Sequence, residues 1–112
     1  MTRMLTITAL LAAAGAFSSA AAQAPDAKAL FEEHCQRCHG EFGTPPKTMK
    51  KRYPKVVTFD SKFVASHSED SVVKILTRGK NEDMVSFKMK MSPQEMAAVA
   101  KYVRELGLKP RP

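Results

Sequence analysis

The sequence predicts an all-α domain of three or more helices wrapped around one large buried group, and three observations carry that prediction. Apolar residues recur at helical spacing in three separate segments, capping residues mark where those segments begin, and no stretch alternates in the manner of a strand. Between the first two segments, residues 40–67 hold Gly43, Pro45, Pro46 and Pro54 with no sustained period of either kind. A connector that long in so small a domain needs a surface to wrap around.

The chain has 112 residues, 44% of them apolar and 26% charged, which suits one domain behind a short leader. Arg3 supplies a positive start, Met4 to Phe17 form an apolar stretch, and Ala20, Ala21 and Ala22 offer small residues for cleavage before Gln23. Residues 1–22 read as a secretory signal peptide and residues 23–112 as the mature domain, expected free in the periplasm as a monomer. After processing, 17 Lys plus Arg face 11 Asp plus Glu, a net +6 that points to acidic partners. The two cysteines cannot build a multi-bridge scaffold, and no apolar run approaches the roughly 20 residues of a membrane span. A disulfide-rich toxin and an integral membrane protein are thereby excluded.

The first helix starts after the N-cap Asp26, and its apolar positions Ala27, Leu30, Phe31, Cys35 and Cys38 continue one buried stripe through both cysteines. The second spans Glu69 to Arg78, with Ser68 as N-cap, acidic residues in its first turn, Val72, Val73, Ile75 and Leu76 on its apolar side, and Gly79 as stop. The third opens on Ser92-Pro93-Gln94-Glu95, a capping box with proline at the first helical position. Met96, Val99, Ala100, Val103 and Leu106 form its inner face, and Gly107 is expected to end it. A mature domain of this size sits near the limit at which side chains alone make a sufficient core, so a cofactor is expected inside it.

Cys35-Gln36-Arg37-Cys38-His39 has the C-x-x-C-H form of a c-type haem attachment sequence. Two thiols on one helical turn meet the two vinyl groups along one porphyrin edge, and the next residue sets its imidazole beneath the iron. Two other chemistries stay open on these residues. One is a thiol–disulfide centre, although such pairs open a helix in a βαβ setting. The other is zinc held by Cys35, Cys38 and two of His34, His39 and His67.

With these residues in view, the chain resembles the class I c-type cytochromes over Ala27 to Leu106. The matching features are Leu30-Phe31 ahead of Cys35, the attachment segment through Gly40, Arg78-Gly79-Lys80 followed by Met84 and Phe87, and the last helix with Tyr102 and Leu106. The resemblance implies crossing first and last helices, one covalent haem c with its iron in an apolar crevice, and a loop methionine opposite the histidine. Met84 is the candidate, because it follows the stop at Gly79 and precedes the Ser92 cap. Met91 and Met96 fit a hydrophobic staple, while Met49, Met89 and His67 are weaker ligand candidates. The chain departs from the family at Val85, where proline commonly follows the methionine, and at Ala27, where glycine is common. Pro45, Pro46 and Pro54 are the candidates for the carbonyl that orients His39.

Iron ligated by histidine and methionine has no open axial position, so the expected function is one-electron transfer between a dehydrogenase or quinol-oxidising complex and an oxidase or reductase, not catalysis. A haem enzyme or gas sensor is expected only where Met84 does not ligate. Lys47, Lys50, Lys51, Arg52 and Lys55, in a stretch free of acids, are the candidate docking patch for acidic redox proteins, and nucleic acid is not expected as a partner. N-terminal sequencing of the exported protein is expected to begin near Gln23, and retention of Met1 would overturn export.

Overall fold

Helix α1 (Ala27–His34) begins where Asp26 Oδ1 accepts the Ala29 N–H at 3.1 Å, as the sequence predicts. The structure is a computed structural model that describes residue 15 and residues 24–111; the expected leader, residues 1–22, lies outside the described residues apart from Gly15. Beyond α1 come α2 (Gln36–His39), α3 (Lys47–Arg52), α4 (Ser61–Ser66), α5 (Glu69–Arg78) and α6 (Pro93–Leu108), and no strand occurs among the described residues.

The single stripe expected through both cysteines is corrected by a break. Cys35 still donates to the Phe31 carbonyl at 2.8 Å, but its φ of −124° leaves the helical region, and the chain restarts as the single turn of α2. Cys35 is buried and Cys38 only half-buried. The connector holds two short helices that its weak periodicity did not reveal. α3 stops at Tyr53 because the following Pro54 disfavours helical backbone there. α4 starts where Asp60 Oδ1 accepts the Phe63 N–H at 2.9 Å.

α6 is the spine, packing on α1, α4 and α5. Its capping box forms as the sequence predicts: Ser92 Oγ accepts the Glu95 N–H at 3.1 Å, and Glu95 Oε1 accepts the Ser92 N–H at 2.9 Å. Such a cap is worth about 1 kcal/mol. Phe31 and Val99 lie at the centre with no exposed surface. The Phe31 ring meets Phe59 edge-on at 6.3 Å and Tyr102 at 5.3 Å, and Phe59 meets Phe63 at 5.0 Å. Each such pair adds about 0.5–1.5 kcal/mol beyond its buried area.

Gly107 does not end α6, which continues to Leu108. It is buried inside the helix, and its missing side chain has a packing reason. A Cβ there would lie 2.8 Å from Val64 Cγ2 and 3.1 Å from the Asp60 carbonyl oxygen, so the glycine lets α4 press against α6. Arg104 ties the same pair of helices, donating to the His67 carbonyl at 3.0 Å. Gly107→Ala is expected to overpack this crossing and lower stability by about 1–3 kcal/mol. Denaturant unfolding measures it, and an unchanged midpoint would mean that α4 backs away without cost.

Candidate functional site

Helices α1, α2, α5 and α6 and the two connectors surround an apolar cleft with about 1100 Å³ of space, its open mouth included. Cys35, Cys38, His39 and Met84 all line it, and Phe59, Phe63, Leu76 and Val99 form much of its wall. The site is thus assembled from two distant parts of the chain: the α1–α2 turn, and the loop after α5.

His39 ends α2, is 8% exposed, and stacks on Phe59 with ring centroids 4.5 Å apart. Its Nδ1 lies 3.1 Å from the Val57 carbonyl oxygen, which only accepts, so Nδ1 carries the proton and donates. This corrects the expectation that Pro45, Pro46 or Pro54 supplies the orienting carbonyl. The chain reaches His39 three residues after Pro54, in the irregular stretch ahead of Phe59. With Nδ1 committed, Nε2 presents a lone pair and has no protein partner among the described residues. Burial holds His39 below the usual imidazole range; the Val57 carbonyl opposes that shift, and the Lys80 ammonium reinforces it. The ring is therefore neutral near pH 7, the form that ligates a metal.

Cys35 and Cys38 are free thiols, the first capping the single turn of α2 and the second within it. Burial, with Cys38 beside it, pushes the Cys35 thiol up to about 12. A thiol that resists ionisation is a poor redox nucleophile, which argues against a thiol–disulfide centre. Among the described residues no group of three or more His, Cys, Asp or Glu converges as a metal site would require, so the zinc reading has no geometric support.

Met84 is held by a loop clamped at both ends. Asn81 Oδ1 accepts the N–H groups of Asp83 and Met84, each at 2.9 Å, and the Met84 carbonyl accepts from Lys80 N–H at 2.8 Å. Downstream, Phe87 N–H donates to the Leu76 carbonyl at 2.8 Å and Ser86 Oγ donates to the Thr77 carbonyl at 2.6 Å. Gly79 makes the clamp feasible. Its φ is +76°, and a Cβ would meet Ser86 N at 2.8 Å and the Met84 carbonyl oxygen at 3.1 Å.

The other sequence candidates lie elsewhere. Met91 and Met96 are 4% and 3% exposed in the core, Met89 stands 94% exposed, and neither Met49 nor His67 lines the cleft. His67 stacks on Phe63 at 4.3 Å, with Nδ1 close to the Phe63 carbonyl and the Ser66 hydroxyl. Lys55 reaches the cleft; Lys47, Lys50, Lys51 and Arg52 stand exposed on α3 away from it. Sequence reasoning named His34 only as a candidate zinc ligand, and it missed Val57. His34 lines the cleft and meets Phe87 edge-on at 5.8 Å; its place in the stripe, four residues after Leu30, was the available signal. Val57 acts through its backbone, for which side-chain identity holds no signal.

Two thiols, one imidazole with a free neutral nitrogen and a thioether, all on an apolar cleft, fit covalent attachment and axial ligation of haem. A family profile described as "Cytochrome C oxidase, cbb3-type, subunit III" matches residues 22–103. Among solved structures, the chain is similar to the KustC0563 c-type cytochrome, with 29% identity, a TM-score of 0.65, and 72% of this chain and 96% of that one covered. A single-substitution variant of the same protein gives 30% identity and a TM-score of 0.64 over 72% and 98% of the two chains. No curated protein sequence matches the chain. Profile, fold and cleft agree: the chain belongs to this cytochrome family and is a class I c-type cytochrome, an electron-transfer protein for covalently bound haem c.

Proposed function

We propose that this chain is a periplasmic one-electron carrier whose single haem is held by thioethers from Cys35 and Cys38 and ligated by His39 and Met84. The observation that carries the ligand assignment is that, of Met49, Met84, Met89, Met91 and Met96, Met84 alone lines the cleft that His39 and both cysteines line. When bound, the haem supplies reversible one-electron exchange at its iron. His39 donates to Val57 through Nδ1 and so keeps its tautomer and ring orientation through that exchange. Met84 offers a soft thioether that favours the reduced iron, and the clamps on its loop hold that side chain in place. Phe59, Phe63 and Leu76, all buried, keep water from the centre.

The apolar stretch and small-residue site within residues 1–22 support export, which is where c-type haem attachment occurs. Among the described residues no helix is long and apolar enough to cross a membrane. For partners, the exposed cations Lys47, Lys50, Lys51, Arg52 and Lys55 support long-range steering toward acidic redox proteins, the donor being a dehydrogenase or quinol-oxidising complex and the acceptor an oxidase or reductase.

Two outcomes test this reading. Met84→Ala is expected to lower the reduction potential and open the ferrous protein to carbon monoxide, whereas Met89→Ala changes neither; an unaltered Met84→Ala spectrum and potential would move the ligand elsewhere. The electron-transfer rate with a redox partner is expected to fall as ionic strength rises, as stopped-flow mixing would show. A flat salt profile would remove the steering role from the α3 cations.

A further inference from the structure

We infer that Phe63 and Phe59 form an electron route between the surface histidine His67 and the axial histidine His39, giving the carrier a second point of electron exchange at the end of α4, apart from the cleft and its mouth. The inference rests on the reading that the cleft holds haem with His39 on its iron.

Aromatic side chains are ordinary in small cores, so their presence alone does not single out a route. Their continuity does. Among the described residues the three closest ring pairs lie in one unbroken line: His67 on Phe63 at 4.3 Å, Phe63 on Phe59 at 5.0 Å, and Phe59 on His39 at 4.5 Å. Another line of rings that joins it, from half-buried Tyr102 through Phe31 to Phe59, is looser, with centroids 5.3 and 6.3 Å apart. Electron tunnelling weakens with every gap between packed groups, and a close line of π-systems keeps those gaps small.

The two ends of the line are built alike. His67 and His39 lie nearly parallel to their phenylalanines, at 13° and 19°, and each has Nδ1 3.1 Å from a backbone carbonyl, that of Phe63 in one case and of Val57 in the other. Both rings are therefore held in place. Arg104 fixes the outer end further, donating to the His67 carbonyl at 3.0 Å and to the Val64 carbonyl at 3.5 Å. Phe63 and Phe59 are buried, so the line between the histidines stays dry. His67 itself is half-buried between exposed Ser66 and Ser68, does not line the cleft, and has no protein partner for Nε2 among the described residues. Packing accounts for the two phenylalanines; the histidine that carries their line to solvent makes it a route.

A single electron passes along this line. A reduced one-electron donor at His67 gives it to the ferric centre, which becomes ferrous, and in the reverse direction a ferrous centre gives it to an oxidised acceptor. Neither phenylalanine is itself oxidised or reduced, no bond forms or breaks, and no proton is transferred.

The experiment uses haem-loaded mature protein carrying one ruthenium bis(bipyridine) imidazole group on His67 Nε2, its position verified by peptide mass mapping. A laser flash with a ruthenium(III) ammine quencher leaves the label as Ru(III), and the ferrous centre then gives it one electron, becoming ferric as the label returns to Ru(II). Transient absorbance reads the rate. Parent, Phe63→Leu and Phe63→Tyr are compared in this form, and a fourth protein, His67→Gln/Ser66→His, moves the label off the stack without touching the core. Phe63→Leu is expected to transfer on the order of tenfold more slowly, with spectrum and reduction potential unchanged, because the ring that positions the donor against the cofactor is gone. Phe63→Tyr is expected to keep the parent rate, and the label moved to residue 66 to transfer several-fold more slowly than the label on His67. A Phe63→Leu rate equal to the parent's would overturn the proposal, as would a label at residue 66 that transfers as fast as the one on His67. Should Phe63→Leu fail to hold haem, the comparison of the two label positions decides alone. A parent without the spectrum of a histidine-ligated haem would instead sink the underlying reading, which that spectrum reports before any flash.

Discussion

One hydrogen bond organises the site: the donation from His39 Nδ1 to the Val57 carbonyl, across 18 positions of sequence. A buried imidazole needs a partner for its N–H, because leaving that group unpaired away from water costs about 1–3 kcal/mol. Meeting the need with a backbone carbonyl from the connector does two things at once. It fixes which nitrogen faces the cleft, and it gives the connector between α2 and α5 an anchor in the stretch between α3 and α4. The Phe59 N–H bonded to the Gly43 carbonyl at 2.8 Å and the stacking of Phe59 on His39 extend that anchor. The connector therefore holds its place with only two single-turn-scale helices of its own.

The opposite wall is built on another logic. Nothing in the loop after α5 is regular, yet the Met84 N–H and carbonyl are both occupied, by Asn81 Oδ1 and the Lys80 N–H, and Leu76 and Thr77 of the helix it leaves hold Phe87 and Ser86. Such a loop can present a side chain with the precision of a helix while remaining at the surface. The close backbone approach at Gly79 is what brings its two ends together. Among the described residues the side of the cleft that carries His39 and the looped wall share no hydrogen bond, and the contact of His34 with Phe87 is an aromatic link between them. A group bound in the cleft would join them directly, which suits a domain this small, where packing alone leaves little margin.

Legibility in the sequence followed how local each determinant is. The bounds of α5 and the start of α6 were readable because Ser68, Gly79, Ser92, Pro93 and Glu95 act within one helical turn. The attachment segment was readable because its spacing is chemistry in itself. The break at Cys35 was not, since apolar spacing persists across a change in backbone that it does not control. Gly107 misled for a related reason: glycine signals a helix end or a close approach equally well, and only the position of Val64 and Asp60 decides between them. Val57 was unreadable in principle, because a carbonyl belongs to every residue.

The same distinction bears on charge. The α3 cations are conspicuous in sequence because they are contiguous, and contiguity makes a strong field at a distance. Lys55 and Lys80 lie in two connectors far apart in sequence, and folding alone brings them to one cleft. The two arrangements differ in range of action. The attraction of a contiguous exposed patch reaches outward but is screened by salt and undirected. A lysine brought to the cleft by folding acts on the site itself, as the Lys80 ammonium does in helping to keep the His39 imidazole neutral.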